Sequence, residues 1–210
     1  MSARLIYVMD PMCSWCWGFA PVASALIDQA NEAGVPTHLV VGGLRSGSAA
    51  LDGATRKYIL EHWQAVAQTT GQPFNFEGAM PDGFVYDTEP ACRALVAARE
   101  LDGERLWPLL AAIQSAFYEG AHDVTTAPHL VELAEQAGFE RGPFAEAFTR
   151  AETRAATAAD FAWAQGLGIA GFPTLLAERN GQLALLTNGY QPLERLQPLL
   201  GRWLQQAANA

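Results

Sequence analysis

Strand-like segments occur near the two ends of this chain, and a long helical stretch separates them. Near the N-terminus, LIYVM (5–9) and HLVV (38–41) are almost continuously apolar, which is typical of strands buried on both faces. Near the C-terminus, TLLA (174–177) and LALLT (183–187) flank an Asn-Gly pair, which favours a tight hairpin turn. Any sheet must therefore be assembled from both ends of the chain.

Between these segments the apolar residues recur at helical spacing. A first helix is predicted from Ser14 to about Gly34, a helical block from about residue 51 to residue 165, and a last helix after the hairpin. The order is β-α-β, a helical block, then β-β-α, and the first two strands should pair in parallel through a right-handed crossover. We predict an α/β domain from residues 1–44 and 166–210, with residues 45–165 as an inserted helical domain.

Composition excludes several classes of partner. The chain has 13 Lys and Arg against 22 Asp and Glu, a net charge of −9, and its cations are not clustered as phosphate binding requires. No run approaches the ~18 apolar residues of a membrane span. We therefore predict neither a nucleic-acid nor a membrane partner. The first ten residues lack the apolar region and cleavage site of a signal peptide, which predicts a cytoplasmic location.

The stretch DPMCSWCWGFAP (10–21) places Cys13 and Cys16 at the predicted junction of strand and helix. A helix N-terminus stabilises an anion, and the thiolate is the nucleophilic form of cysteine. Cys16 lies one turn further on the same face, so it can attack a mixed disulfide at Cys13 and release the partner. This motif predicts a dithiol redox site without metal or organic cofactor, which cycles through a Cys13–Cys16 disulfide.

Other uses of the cysteines are less well supported. A structural zinc site needs four ligands, but there is no second CxxC, and neither Cys92 nor the four histidines show ligand spacing. A permanent disulfide is rare in the reducing cytosol. Cys92 lies on an apolar helical stripe and is interpreted as an inert core residue. A zinc-holding or chaperone-like binding module stays open as an alternative.

Four more residues around the motif are candidates. Trp15, Trp17 and Phe19 could line an apolar groove for unfolded chains or an aromatic substrate, although at least one of them should belong to the core because the helix must bury one face. Asp10 precedes Cys13 by three residues. Its carboxylate could relay protons to or from the cysteine pair, or it could simply end the strand as an Asp-Pro turn or helix cap.

A distant segment, GIAGFPTL (168–175), places Pro173 at the start of the third strand. The CxxC after the first strand, the helical insertion, the GFPT run and the β-β-α finish together resemble DsbA-type thiol oxidoreductases. DPMCSWCWGFAP is similar to their cytoplasmic FrnE-like, or predicted protein-disulfide isomerase, branch. The resemblance covers nearly the whole chain. It implies a thioredoxin fold, with residues 1–44 and 166–210 as the thioredoxin-like domain and the inserted helical domain capping the active-site face.

The resemblance also implies roles for single residues. Cys13 would be the exposed attacking thiol and Cys16 the buried resolving thiol. Phe172 and Pro173 would form a cis-proline loop beside Cys13, with the backbone of Phe172 pairing to a bound peptide. The predicted substrate-binding residues are Trp15, Trp17, Phe172 and Thr174, beside the catalytic Cys13, Cys16 and Pro173.

The predicted function is thiol-disulfide exchange with protein or small-thiol substrates. A reductase or isomerase is easier to sustain in a reducing cytosol than a net oxidant. Kappa-class glutathione transferases resemble the same fold with its helical insertion, so a glutathione-dependent transferase or isomerase is an alternative. Those enzymes typically carry serine at the attacking position, and Cys13 counts against that alternative.

Overall fold

One mixed four-stranded sheet joins the two ends of the chain in this computed structural model, which describes residues 3–208. Its strands lie in the order β2-β1-β3-β4. They are β1 (Ala3–Met9), β2 (Thr37–Val41), β3 (Thr174–Arg179) and β4 (Gln182–Asn188). Strand β1 is parallel to β2 and antiparallel to β3, and β3 and β4 form an antiparallel hairpin. The predicted β-α-β unit and hairpin are confirmed.

The described residues form eight helices, six of which lie between β2 and β3. They are α1 (Ser14–Glu32), α2 (Gly53–Thr70), α3 (Glu89–Leu101), α4 (Leu106–Tyr118), α5 (Ala127–Gln136), α6 (Arg141–Thr149), α7 (Ala151–Gly166) and α8 (Leu193–Ala208). The predicted thioredoxin-like order with a long helical insertion is therefore confirmed. None of the helices within residues 3–208 is both long and apolar enough to cross a membrane.

Strands β1, β2 and β3 are largely buried, as expected from their apolar residues, whereas the outer strand β4 is mostly exposed. Because side chains alternate along a strand, Leu5 and Tyr7 of β1 join the large core that contains α1, whereas Ile6 and Val8 face the opposite side. There they pack with Ala164 of α7. Helices α1 and α8 thus pack on one face of the sheet, and α7 packs on the other face at β2.

The helical insertion is attached to the sheet by a partly buried ion pair. Arg99 of α3 contacts Asp160 of α7 at 2.8 Å and donates a hydrogen bond to the carbonyl of Leu39 in β2 at 2.6 Å. Asp160 in turn accepts from the amide of Val41 at 3.1 Å. These bonds hold α3 and α7 against β2. The division into two domains at residues 45 and 166 stays a prediction.

Candidate active site

Cys13 caps the N-terminus of α1. Its backbone is extended (φ −89°, ψ 117°), and its carbonyl accepts the amides of Cys16 at 3.0 Å and Trp17 at 3.1 Å, which are the first bonds of the helix. Its own amide donates to the carbonyl of Asp10 at 3.1 Å, so a tight turn leads from β1 into the helix. The cysteine therefore lies where the helix dipole is positive.

The loop before β3 lies directly beside Cys13. The Phe172–Pro173 peptide bond is cis, and the Cys13 thiol donates to the carbonyl of Phe172 at a sulfur–oxygen distance of 3.7 Å. The predicted cis-proline loop beside Cys13 is confirmed. Thr174 is buried, and its hydroxyl donates to the carbonyl of Gly171 at 2.9 Å. That side chain therefore holds the loop and makes no contact with the cavity at Cys13.

The two cysteines of the motif differ in burial. Cys16 is fully buried, and burial, followed by a hydrogen bond with Cys13, raises the pKa of its thiol well above the ordinary value. Both are free thiols. The resemblance implies an exposed thiol at Cys13, but Cys13 is only 6% exposed, so that expectation is wrong. Residues of α2, among them Ile59 and Trp63, cover the space in front of it.

Cys13 opens onto a cavity of about 200 Å³ between the N-terminus of α1, the loop after β2, and α2. Its lining residues are Met12, Cys13, Ser14, Trp15, Leu44, Arg45, Tyr58, Ile59, His62, Trp63 and Tyr86. Arg45 is the one Lys, Arg, Asp or Glu among these described residues, and its guanidinium lies over the Tyr86 ring, 5.0 Å from the ring centre. The walls are thus largely aromatic and apolar, with one fixed positive charge.

Asp10 is buried beneath the motif and accepts several hydrogen bonds. Oδ1 accepts the amide of Met12 at 2.8 Å, and Oδ2 accepts the amide of Leu44 at 2.7 Å. The Cys92 thiol donates to Oδ2 at 3.4 Å. Burial raises the pKa of the carboxyl group, and hydrogen bonds from Leu44, Thr88, Met12 and Cys92 oppose that rise. The bond to Met12 shows that Asp10 shapes the turn, and the proton relay stays a prediction.

The two tryptophans of the motif point to different places. Trp15 is half-buried and lines the cavity at Cys13, with its ring 5.9 Å from that of Tyr190. Trp17 is 8% exposed, donates through Nε1 to the carbonyl of Pro73 at 2.9 Å, and stacks on Tyr118 at 5.9 Å. Trp17 therefore packs α1 against the helical insertion, and of the two tryptophans Trp15 is the one that lines the cavity at Cys13.

Several residues of the site carry no local sequence signal. Arg45, Tyr58, His62 and Tyr86 belong to segments without a recognisable motif, and packing alone brings them to the cavity. The sequence predicts that Cys92 is an inert core residue. It is fully buried, but it also bonds a carboxylate 82 residues away in the chain. Within residues 3–208, no group of three or more His, Cys, Asp or Glu is placed to hold a metal ion.

A family model for the DsbA-like thioredoxin domain matches residues 4–201. The chain belongs to the DsbA-like thioredoxin family. The match includes both ends of the sheet and the whole helical insertion. Together with the solved structures that resemble it, this membership makes the DsbA-like protein a disulfide oxidoreductase or isomerase.

Two solved structures show the similarity over the full length of this DsbA-like protein. A "putative protein disulfide isomerase" from Nitrosomonas europaea is 44% identical with a TM-score of 0.91, over 98% of this chain and 99% of the other. The cytosolic disulfide reductase DsbM from Pseudomonas aeruginosa is 32% identical with a TM-score of 0.79, over 99% and 100%.

DsbM has also been solved with GSH; that structure is 30% identical with a TM-score of 0.74, over 98% of each chain. A search among curated proteins found no match to this DsbA-like protein.

Proposed function

We propose that this protein reduces and reshuffles disulfides through Cys13 and Cys16, with glutathione as its reducing thiol. One observation carries the proposal: the Cys13 sulfur lies at the N-terminus of α1, 3.7 Å from the carbonyl of Phe172, with Cys16 buried one turn further along. The first cysteine is thus placed to attack and the second to resolve.

The exchange takes place in two steps. First, the Cys13 thiolate attacks one sulfur of a substrate disulfide, a bond forms between them, and the other sulfur leaves as a thiolate that takes up a proton. Next, Cys16 loses its proton and attacks the Cys13 sulfur, which forms the Cys13–Cys16 disulfide and releases the second substrate thiol. Two electrons have then moved from the dithiol to the substrate. Two molecules of glutathione return them and become glutathione disulfide.

Isomerisation uses the same first step. If the released substrate thiol attacks another substrate disulfide before Cys16 resolves the intermediate, the bonds are rearranged without net electron transfer. Because burial raises the pKa of Cys16, the resolving step needs a base. In this proposal the buried carboxylate of Asp10 accepts that proton. Its hydrogen bonds to Met12 and Leu44 hold it directly beneath the motif.

The cavity beside Cys13 supports a small acidic thiol as reductant. Glutathione carries two carboxylates, and Arg45 supplies a positive charge at the cavity wall. The ring of Tyr86 beneath the guanidinium limits its freedom. The structure of DsbM with GSH also supports glutathione as the reductant. DsbM is a cytosolic disulfide reductase, which supports the direction and the compartment proposed here: reduction of disulfides in the cytosol.

Substrate trapping tests the proposal. In a Cys16→Ser variant the second step cannot occur, so Cys13 should accumulate mixed disulfides with proteins and with glutathione, detected by mass spectrometry of the intact protein. The parent should reduce insulin and, with glutathione and glutathione reductase, consume NADPH in the presence of a small disulfide.

The matched control is Cys13→Ser, which keeps Cys16 but removes the attacking thiol. This variant should form no adduct and show no reduction. If Cys16→Ser forms no adduct and the parent neither reduces insulin nor reshuffles disulfides, the oxidoreductase mechanism is wrong. If the parent instead conjugates glutathione to an electrophile without consuming NADPH, a transferase of the kappa type replaces it.

A further inference from the structure

Cys92 is the third buried cysteine, and the exchange proposed above does not use it. It lies in the first turn of α3 with no exposed surface, and its thiol donates to Oδ2 of Asp10 at a sulfur–oxygen distance of 3.4 Å. The same oxygen accepts the amide of Leu44 at 2.7 Å. Oδ2 of Asp10, the predicted base, therefore accepts one hydrogen bond from the loop after β2 and one from the helical insertion.

The contacts around this pair bind α3 to the active-site turn. The amide of Thr88, which precedes α3, donates to the carbonyl of Arg45 at 2.9 Å, and the Tyr86 hydroxyl donates to the carbonyl of Met12 at 2.5 Å. The first bond joins the segment before α3 to the loop after β2, next to Leu44, and the second joins it to the turn that follows Asp10. The bonds of Thr88 and Tyr86 thus hold the start of α3, and with it Cys92, close to the Asp10 carboxylate.

The titratable and charged groups around Asp10 come from several elements. They are Cys13 and Cys16 at the start of α1, Arg45 after β2, Tyr86 before α3, Cys92 on α3 and Tyr118 on α4. Burial raises the pKa of both tyrosines, so they stay neutral. Burial, followed by the Asp10 charge, also raises the pKa of Cys92, so it stays an S–H donor.

We propose that Cys92 is a positioning residue whose thiol holds the Asp10 carboxylate as the proton acceptor for Cys16. The inference rests on the proposed function, because it concerns the resolving step. In that step Cys16 gives its proton to Asp10, and the resulting thiolate attacks Cys13. The S–S bond to the substrate breaks, and the departing thiolate regains the proton. Cys92 keeps its own proton throughout and undergoes no change in redox state.

The hydrogen bond from the Cys92 thiol changes the pKa of Asp10 in a defined direction. A donor to the charged form of a carboxyl group stabilises that form, and the Cys92 thiol lowers the pKa of Asp10 against the rise caused by burial. Removing the thiol should move the Asp10 pKa further upward. At pH values below that pKa a smaller fraction of Asp10 is then ionised, and the resolving step becomes slower.

The test compares Cys92→Ala with Cys92→Ser, two variants of nearly equal volume that differ in one hydrogen-bond donor. Reduced protein is mixed with glutathione disulfide in a stopped-flow instrument, and tryptophan fluorescence is recorded from acid to alkaline pH. The phase that does not depend on glutathione disulfide concentration reports the resolving step. In Cys92→Ala its pH profile should shift upward, with a rate on the acid side roughly three- to tenfold lower than in the parent. Cys92→Ser should restore the parental profile.

A second readout needs no turnover. The ¹³C resonance of the Asp10 carboxyl group, assigned through Asp10→Asn, should titrate at higher pH in Cys92→Ala than in the parent and in Cys92→Ser. The inference is overturned if the alanine variant matches the parent in both measurements, or if alanine and serine shift both equally, since only packing is then involved. If the parent performs no exchange, the proposed function fails, and the carboxyl titration still decides whether Cys92 sets the proton affinity of Asp10.

Discussion

Among the single residues of the site, Arg45 is the one we expect to recognise glutathione, the proposed reductant. The protein carries a net charge of −9, yet the only Lys, Arg, Asp or Glu among the described residues that line the cavity at Cys13 is an arginine. Its guanidinium is held over the Tyr86 ring. A cation in this position attracts a carboxylate, whereas it contributes little to the binding of an uncharged thiol.

We expect Arg45→Gln to weaken glutathione binding selectively. KM for glutathione should rise about tenfold, which corresponds to the loss of one charge-assisted hydrogen bond, and KM for 2-mercaptoethanol should change less than about twofold. Steady-state kinetics with both thiols measures the difference. Lys57→Gln on the outer surface of α2 removes the same charge outside the cavity and should leave both values unchanged. Equal effects of Arg45→Gln on the two thiols would show that the guanidinium does not recognise a carboxylate.

At the scale of elements, the end of β2 approaches the cis-proline loop very closely. A Cβ atom added to Gly42 would lie 2.1 Å from Cζ of the Phe172 ring, far inside van der Waals contact. The amide of Gly42 also donates to the carbonyl of Met9 at 2.8 Å, so the backbone there is held by β1. The missing side chain at Gly42 therefore sets how near Phe172 can come to Cys13.

Gly42→Ala should displace the Phe172 ring and, with it, the carbonyl that accepts from Cys13. We expect a loss of about 1–3 kcal/mol in the free energy of unfolding, as in other overpacked sites, together with slower insulin reduction. Urea denaturation and the insulin assay measure the two effects. Gly166→Ala is the control, because a Cβ there meets open space. Full activity in Gly42→Ala would mean that the position of the Phe172 ring is unimportant for exchange.

At the scale of the whole molecule, the helical insertion and the sheet share one core. Residues of α2, α3 and α4 pack in the same cluster as those of β1 and α1. The pair between Arg99 and Asp160, only 19% and 14% exposed at the side chains, joins α3 to α7, and both residues also bond the backbone of β2. The insertion is thus attached to the sheet at the edge formed by β2.

Asp160→Asn should destabilise the whole protein, because it leaves the Arg99 guanidinium without its charged partner. The free energy of unfolding should fall by about 3 kcal/mol. In the parent, circular dichroism and tryptophan fluorescence should report one coincident urea transition. The control is Glu61→Gln in the exposed pair with Lys57, which should change the free energy by less than about 0.5 kcal/mol. Two separate transitions in the parent would show that the insertion unfolds independently of the sheet.

Local chemistry made much of the fold predictable. Helical and strand periodicity, the Asn180-Gly181 turn and the glycine and proline stops act over a few residues, so the order of the elements follows from them. The spacing of Cys13 and Cys16 at a strand–helix junction likewise depends only on neighbours in the chain. For the same reason the sequence alone placed the CxxC motif at the start of α1 and, by resemblance, the loop that contains Pro173 beside it.

The surroundings of that motif depend on contacts between distant residues, and only the tertiary structure decided them. Cys13 is more covered than expected because α2 lies across it, and Trp17 faces the insertion instead of the cavity. Arg45 and Cys92 became part of the site through packing that joins segments 34 to 82 residues from Asp10. The sequence by itself determined the elements and the place of the cysteine pair at the start of α1, because both are properties of adjacent residues. The shape and charge of the site, and the hydrogen bonds that Asp10 accepts from Leu44 and Cys92, arise from long-range packing, which no local pattern encodes.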